Sequence, residues 1–394
     1  MHYRNEGARI RLIVLAMAVF QFNLAAEHIP GPPRLDDPDD AEVREVVQKP
    51  KTPTDEIKAQ FPYSFNDVSS SLVIIECESV VGKSAGSGFI AKVDGKTYIY
   101  TNQHVIMGTD KVEFRTVSGE LLKPTAVELS KERDIARLQI EDRENALTIS
   151  SRLAMDIPIA VYGNSEGGGV ATALYGKVSS VGSDLIEVSA EFVPGNSGSP
   201  VLTVDREVIG IASYISISVP SEEEDESRFE NKIRRFCYRL TDVEWMPVNW
   251  RFFNEKYGKP YLVAQNTIEK VGAIIDGWYE DPFGRVPAEN YPDISLVSWS
   301  TTHNKMVDRV NEIIKKNQLT RTQQSKLRDE VYKSAHTLAN YTHRLALEME
   351  DQSEESALSG FLHEEFGSYA YGLEYASQVL DYVGKKVAEY IDNL

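Results

Sequence analysis

The chain has 394 residues, 42% of them hydrophobic, and a formal net charge of −18. This length supports a packed core and two domains, while the acidic balance disfavours nucleic acid, because phosphate binding needs clustered Lys and Arg. Two cysteines, Cys77 and Cys237, cannot form a disulfide framework and leave open one disulfide or two free thiols; no His/Cys cluster has metal-ligand spacing.

The first 26 residues read as an export signal. Arg4, Arg9 and Arg11 precede an apolar run from Leu12 to Phe20, and Leu24-Ala25-Ala26 offers a small-residue cleavage site. An uncleaved membrane anchor is the other reading of this segment; no later stretch approaches a transmembrane span. Residues 27–66 are rich in Pro and Asp (Pro30, Pro32, Pro33, Asp36, Asp37) and read as a disordered leader.

From residue 67 the pattern is β. Strands are expected at 71–80, 89–93 and 97–100, the last two joined by Asp94-Gly95, a hairpin turn that needs positive φ at both positions. Further strands are expected near 112–116, 122–129, 134–140, 158–162, 172–182, 185–190, 200–204, 208–217 and 235–240. A dozen short strands broken by Gly, Asp and Ser point to barrels or a sandwich. An acidic run, Ser221 to Glu226, reads as a solvated loop.

The last hundred or so residues switch to helix. Leu327, Val331, Leu338, Tyr341 and Leu345 mark one face of a helix over about 321–350. Leu362, Phe366, Tyr369, Leu373, Ala376, Leu380, Val383, Val387 and Tyr390 form a heptad-like stripe on a second. The two make an antiparallel helical hairpin, whose stripe serves either as internal core or as a surface for a protein partner or self-association.

Three short stretches carry chemistry. Thr101-Asn102-Gln103-His104 ends an apolar strand and places a base at its tip. Asp134 opens the stretch Asp134-Ile135-Ala136-Arg137-Leu138, where alternation aims it to the apolar side. A carboxylate there requires a donor, and an imidazole N–H supplies one. Gly195-Asn196-Ser197-Gly198-Ser199-Pro200 is a tight turn in which the amides of Gly195 and Ser197 can converge on one oxygen. A hydroxyl needs a base to become a nucleophile, and the base needs a carboxylate to hold its tautomer. His104, Asp134 and Ser197 are thus candidate catalytic residues, and the Gly195 and Ser197 amides a candidate oxyanion hole.

These residues resemble the chymotrypsin-like serine peptidases in their bacterial form. Thr-Asn-Gln-His-Val-Ile is similar to the His motif of Deg-type periplasmic proteases, and Gly-Asn-Ser-Gly-Ser-Pro-Val to the nucleophile motif of glutamyl endopeptidases. Gly86-Ser87-Gly88-Phe89 resembles the Gly-rich strand of both groups, and Gly210 to Tyr214 their substrate-pairing strand, in which Ser213 matches a serine that supports the catalytic Asp. Animal members carry Asp where this chain has Asn196, so no activation ion pair is implied.

The resemblance implies a mainly β fold over residues 67–256, a double six-stranded β-barrel with the triad in the cleft, then a connector at 257–300 and a C-terminal helical hairpin at 301–394. It also implies that Glu191, Phe192, Ala212, Ser213, Tyr214 and Ile215 line the first substrate pocket. There Glu191 would receive a basic side chain, whereas Phe192 would restrict the pocket to small apolar ones. The expected function is that of an exported serine endopeptidase, periplasmic or extracellular, acting on polypeptides without a cofactor or metal. The reading from another class is a catalytically silent envelope scaffold that binds a partner through its helical tail.

Overall fold

The structure, a computed structural model, describes residues 53–218, 232–280, 284–287, 291, 293–315 and 320–392. The expected export signal, most of the expected leader and the acidic run at 221–226 lie outside the described residues.

The described chain opens with a one-turn helix, α1 (Pro53–Lys58). The leader expected to run flexibly to residue 66 is therefore structured over its last part. Phe61, Tyr63 and Phe65 pack against buried barrel residues, and the Tyr63 hydroxyl donates to the Thr203 carbonyl at 2.6 Å. Three aromatics in five residues supply the apolar area that the Pro/Asp-rich part lacks.

The first sheet runs through β1 (Leu72–Ser79), β2 (Gly82–Val93), β3 (Lys96–Thr101), β4 (Lys111–Thr116), β5 (Leu121–Leu122), β6 (Ala126–Ser130) and β7 (Ala136–Ile140). The β2–β3 hairpin turns at Asp94 (φ 51°) and Gly95 (φ 76°), as the Asp-Gly pair requires. Between β3 and β4 lies a single helical turn, α2 (Gln103–Ile106). A strand expected to start at residue 134 instead begins at Ala136, and Asp134 sits in the bend before it. The alternation itself holds: Ala136, Leu138 and Ile140 are buried while Arg137 and Gln139 are half-buried.

The second sheet uses β8 (Thr148–Ile149), β9 (Pro158–Gly163), β10 (Thr172–Val181), β11 (Leu185–Val188), β12 (Pro200–Thr203), β13 (Glu207–Ser218) and β14 (Lys232–Tyr238). Six of these close into a barrel in the order β12-β9-β10-β11-β14-β13, since β12 also pairs with β13. In the first sheet the six-strand run β6-β7-β3-β2-β1-β4 is flanked by β15 (Trp245–Val248) and β5. Closure leaves no free edge between these six strands, whereas the first sheet, expected to close as a second barrel, runs open from β15 to β5 with no pairing that joins its ends among the described residues. Cys77 and Cys237 are buried free thiols. Burial pushes the Cys77 thiol up to about 12 and raises Cys237 as well.

After β15 the chain turns helical: α3 (Trp250–Phe253), a π-type turn (Asn254–Gly258) and α4 (Lys259–Glu280) follow without a break. Next come α5 (Ile294–Lys315), α6 (Arg321–Glu355) and α7 (Gly360–Asp392). Residues expected as a plain connector, 257–300, are thus largely helical. Their apolar positions lie among polar ones and are easily passed over, yet Tyr261, Leu262, Ala264, Ile268, Val271, Ile274 and Ile275 are all buried. Thr320 starts α6 with a capping box, accepting from the Gln323 amide while Gln323 reaches back. The α7 stripe is buried from Leu362 to Leu380, and Val383 and Val387 pack against the helical cluster that holds Ala376 and Leu380; the Tyr390 side chain lies outside the described residues.

One apolar cluster joins barrel and tail. Ile75, Ile90, Ile99 and Leu138 of the first sheet share it with Tyr261 and Ile268 of α4, Leu345 and Met349 of α6, and Leu362, Phe366 and Leu373 of α7. Each large apolar side chain so buried contributes about 1.5–3 kcal/mol. The helical tail is therefore fastened to the sheet that carries the His104 turn.

Candidate active site

The site is assembled by polar side chains that grip backbone. Thr101, Asn102 and Gln103 end β3 and enter α2 fully buried. The Asn102 amide donates to the Asp134 carbonyl at 2.6 Å, and Gln103 Nε2 donates to the carbonyls of Ser130 and Arg133, both at 2.8 Å. Buried backbone acceptors must be paired, so these two side chains fix the 130–134 loop against the His104 turn. His104 then meets Asp134 twice: its backbone N–H donates to Oδ1 at 3.1 Å and its Nδ1 lies 2.5 Å from Oδ2. Ser213 Oγ donates to the same Oδ2 at 3.1 Å. Asp134 is 3% exposed, which a carboxylate tolerates only with such donors.

Ser197 comes from the turn before β12. Gly198 there has φ 89°, and a Cβ on it would lie 2.0 Å from the Ser87 carbonyl oxygen. Gly195 has φ 91°, and a Cβ on it would lie 2.3 Å from the Asn164 oxygen. Both conformation and space therefore demand glycine. Ser87, from the Gly86-Ser87-Gly88 stretch of β2, clamps this turn: its N–H donates to Ser197 O at 2.8 Å and its hydroxyl to Gly195 O at 2.7 Å. Asn196 Oδ1 accepts from the Val193 amide at 3.0 Å and from Ser165 Oγ at 3.2 Å, a neutral brace where animal enzymes have Asp. Ser197 Oγ donates to the Ser213 carbonyl at 3.3 Å. Among the described residues, the amides of Gly195 and Ser197 donate to no other group.

His104, Gly195, Ser197 and Ser213 line one cleft of about 890 Å³. Phe192, Tyr214 and Ile215 line it too, so four of the six expected pocket residues border it. Glu191 and Ala212 do not. Ala212 is buried in the barrel core opposite Cys237. Glu191 is exposed and its charge acts on the Arg235 guanidinium, whose Nε donates to the Phe192 carbonyl at 2.8 Å. Sequence reasoning passed over Ser87, Asn102 and Gln103 as structural actors. Their signal is a run of polar residues beside apolar strands, which must be buried and therefore bonded.

Residues 86–211 match the family model described as a trypsin-like peptidase domain, a span that contains His104, Asp134 and Ser197. The closed barrel and this match give the β region a trypsin-like peptidase fold. Similar proteins include a probable periplasmic serine endoprotease, DegP-like, of Halomonas elongata, 32% identical over 144 residues that cover 34% of this chain and 30% of that one. The corresponding Hahella chejuensis protein is 34% identical over the same shares, and serine protease HTRA4 of Mus musculus is 30% identical over 36% of this chain and 33% of that one. A solved serine endoprotease from Yersinia pestis aligns with 45% of this chain and 63% of its own at 23% identity and a TM-score of 0.35. The chain spans about a third of the length of the curated relatives it matches. Helices α4 to α7 lie beyond the residues that the family model matches.

Proposed function

We propose that this chain is an exported serine endopeptidase that works through Ser197, His104 and Asp134. The observation that carries the reading is the doubly bonded His104–Asp134 pair, with Ser197 in the same cleft. The relatives' names and the N-terminal signal pattern support a periplasmic setting. In the mechanism, Asp134 holds the Nδ1 proton, which leaves Nε2 as the acceptor. Ser197 Oγ leaves the Ser213 carbonyl, gives its proton to Nε2 and attacks a peptide carbonyl. The amides of Gly195 and Ser197 stabilise the oxyanion, a contribution of about 2.7–4 kcal/mol per donor in such sites. His104 then protonates the leaving amine, and water hydrolyses the acyl-enzyme by the same steps in reverse. Resting contacts of this kind tighten when substrate fills the cleft. A polypeptide suits the extended β13 segment Ser213 to Ile215, which borders the cleft and can pair with a peptide backbone.

The test is covalent labelling with a fluorophosphonate, together with casein hydrolysis. Wild type is expected to label and cleave, and Ser197→Ala to do neither while keeping its circular dichroism spectrum. Equal labelling of both proteins removes Ser197 as the nucleophile.

A further inference from the structure

Two parts of the helical tail reach the loops that carry His104 and Asp134. Just after the His104 turn, Gly108 N–H donates to Asn254 Oδ1 at 2.7 Å, and Asn254 Nδ2 donates to the Thr109 carbonyl at 2.8 Å. Asn254 is buried, and its two bonds satisfy a donor and an acceptor that would otherwise stand unpaired. The backbones touch here: a Cβ on Gly108 would lie 2.7 Å from the Gly258 carbonyl oxygen. On the Asp134 side, Phe361 N–H and Ser359 Oγ both donate to the Lys131 carbonyl, at 2.9 and 3.1 Å. The same loop is held from its other side by Gln103, through the carbonyls of Ser130 and Arg133.

The two contacts belong to one packed body. Asn254 opens the turn that leads into α4, and Ser359 directly precedes α7. Tyr261 of α4 sets its ring edge to face against Phe366 and Tyr369 of α7, with centroids 6.3 and 5.5 Å apart, and all three rings are buried. Lys256 pairs with Glu355 at the end of α6 at 3.0 Å, and the Tyr257 hydroxyl donates to the Glu355 carbonyl at 3.4 Å. Close-packed side chains of this kind transmit displacement instead of absorbing it, so the two contacts move together or not at all.

We propose that Asn254 and Ser359 are positioning residues: through them the helical tail grips the chain just after His104 and just before Asp134, and so fixes the imidazole against the carboxylate. The inference rests on the hydrolase reading above. The His104 turn is four residues long, and residues 131–134 form a bend between two strands. Neither is long enough to hold its own shape. Asn102, Gln103 and Asp134 bond the two to each other, and the tail sets both against a common frame. Alignment of such groups is demanding: a misplacement of about 1 Å, caused far from the chemistry, can cost about 100-fold in rate. Asn254 and Ser359 are not among the described residues that line the cleft, so they act through His104 and Asp134 and not on substrate. The helical tail is then part of the catalytic apparatus and not an appendage to it.

The experiment uses the full-length protein as wild type, Asn254→Ala, Ser359→Ala and Leu338→Ala, the last hollowing a cluster built by the tail helices alone. Active sites are counted by fluorophosphonate titration, and kcat and KM are measured on a fluorogenic peptide built on a casein site that wild type cleaves. Asn254→Ala is expected to lower kcat per titrated site roughly tenfold with KM unchanged, as for a misplaced catalytic group. Ser359→Ala is expected to lower it about threefold, since the Phe361 N–H stays on the Lys131 carbonyl. In both, the low-field proton resonance of the His104 Nδ1–H is expected to broaden or shift. Leu338→Ala is expected to melt earlier and to keep both the wild-type resonance and the wild-type kcat per titrated site. A merely structural role would reduce the number of titrated sites and leave the kcat of each unchanged. Wild-type kcat per site in Asn254→Ala, or an equal loss in Leu338→Ala, overturns the proposal; wild-type kcat in Ser359→Ala overturns its Asp134 side. If Asn254→Ala does not fold, Asn254→Asp, which keeps the acceptor for Gly108 and loses the donor to Thr109, is expected to show a smaller fall, and no fall overturns the proposal. If wild type neither labels nor cleaves, the hydrolase reading has failed and takes this one with it. If wild type does both and the tail variants match it per site, the hydrolase reading stands and the positioning role is overturned.

Discussion

Asp134 shows how much one side chain does here. It receives the His104 amide, the His104 ring and the Ser213 hydroxyl, and its own carbonyl receives Asn102. Replacing it with Asn preserves the shape but swaps one acceptor oxygen for a donor, so the ring would be pushed to the wrong tautomer. On the proposed mechanism, Asp134→Asn is therefore expected to keep its melting temperature within a few degrees and to lose about 10⁴-fold in kcat. A loss of less than about tenfold would separate Asp134 from the chemistry. That His104, Asp134 and Ser197 come together was legible in the sequence because each sits in a short motif with its own backbone demands. The roles of Asn102 and Gln103 were not, because their partners lie about thirty residues away and only the folded loop brings the carbonyls into reach.

At the scale of elements, the decisive pieces are short. The α2 turn spans four residues, too few to hold itself. It depends on what grips its ends: the Gln103 side chain at its start, and Asn254 after it through Gly108 and Thr109. Asn254→Ala leaves a buried N–H and a buried carbonyl unpaired. We expect a loss of about 1–3 kcal/mol in urea denaturation, with a fall in kcat per folded molecule as the His104 turn loosens. Full retention of both would assign the loop's geometry to packing by Leu262 alone. The strands were largely readable from alternation and the Asp94-Gly95 turn, whereas the helix at 259–280 was not. Its apolar residues face the barrel and other helices at once, so no single clean stripe marks it.

For the whole molecule, the junction between barrel and tail stores carboxylic acids at a cost. Glu269 is pushed up to about 7 by burial, its Oε1 has no hydrogen-bond partner among the described residues, and Glu365 is raised to about 7 as well. Between the ordinary value of 4.5 and about 7, the folded chain holds more protons than the unfolded one. Stability therefore falls as pH rises through that window, and the deficit is complete above it. Glu269→Gln is expected to raise the melting temperature at about pH 8 and to change it little at about pH 5. An equal effect at both pH values would mean that the carboxyl's shape, not its charge, matters.

The sequence by itself determined the β region, the short motifs around His104, Asp134 and Ser197, and the two long C-terminal helices, because turns, alternation and helical periodicity are local properties of the chain. Only the tertiary structure decided that Asp134 lies ahead of its strand, that the supposed connector is helix, and that Asn254 and Phe361 of the helical tail bond the loops beside His104 and Asp134. Those facts depend on which distant surfaces bury one another. Burial acts through the surroundings a group ends up in, and no window of neighbouring residues contains them.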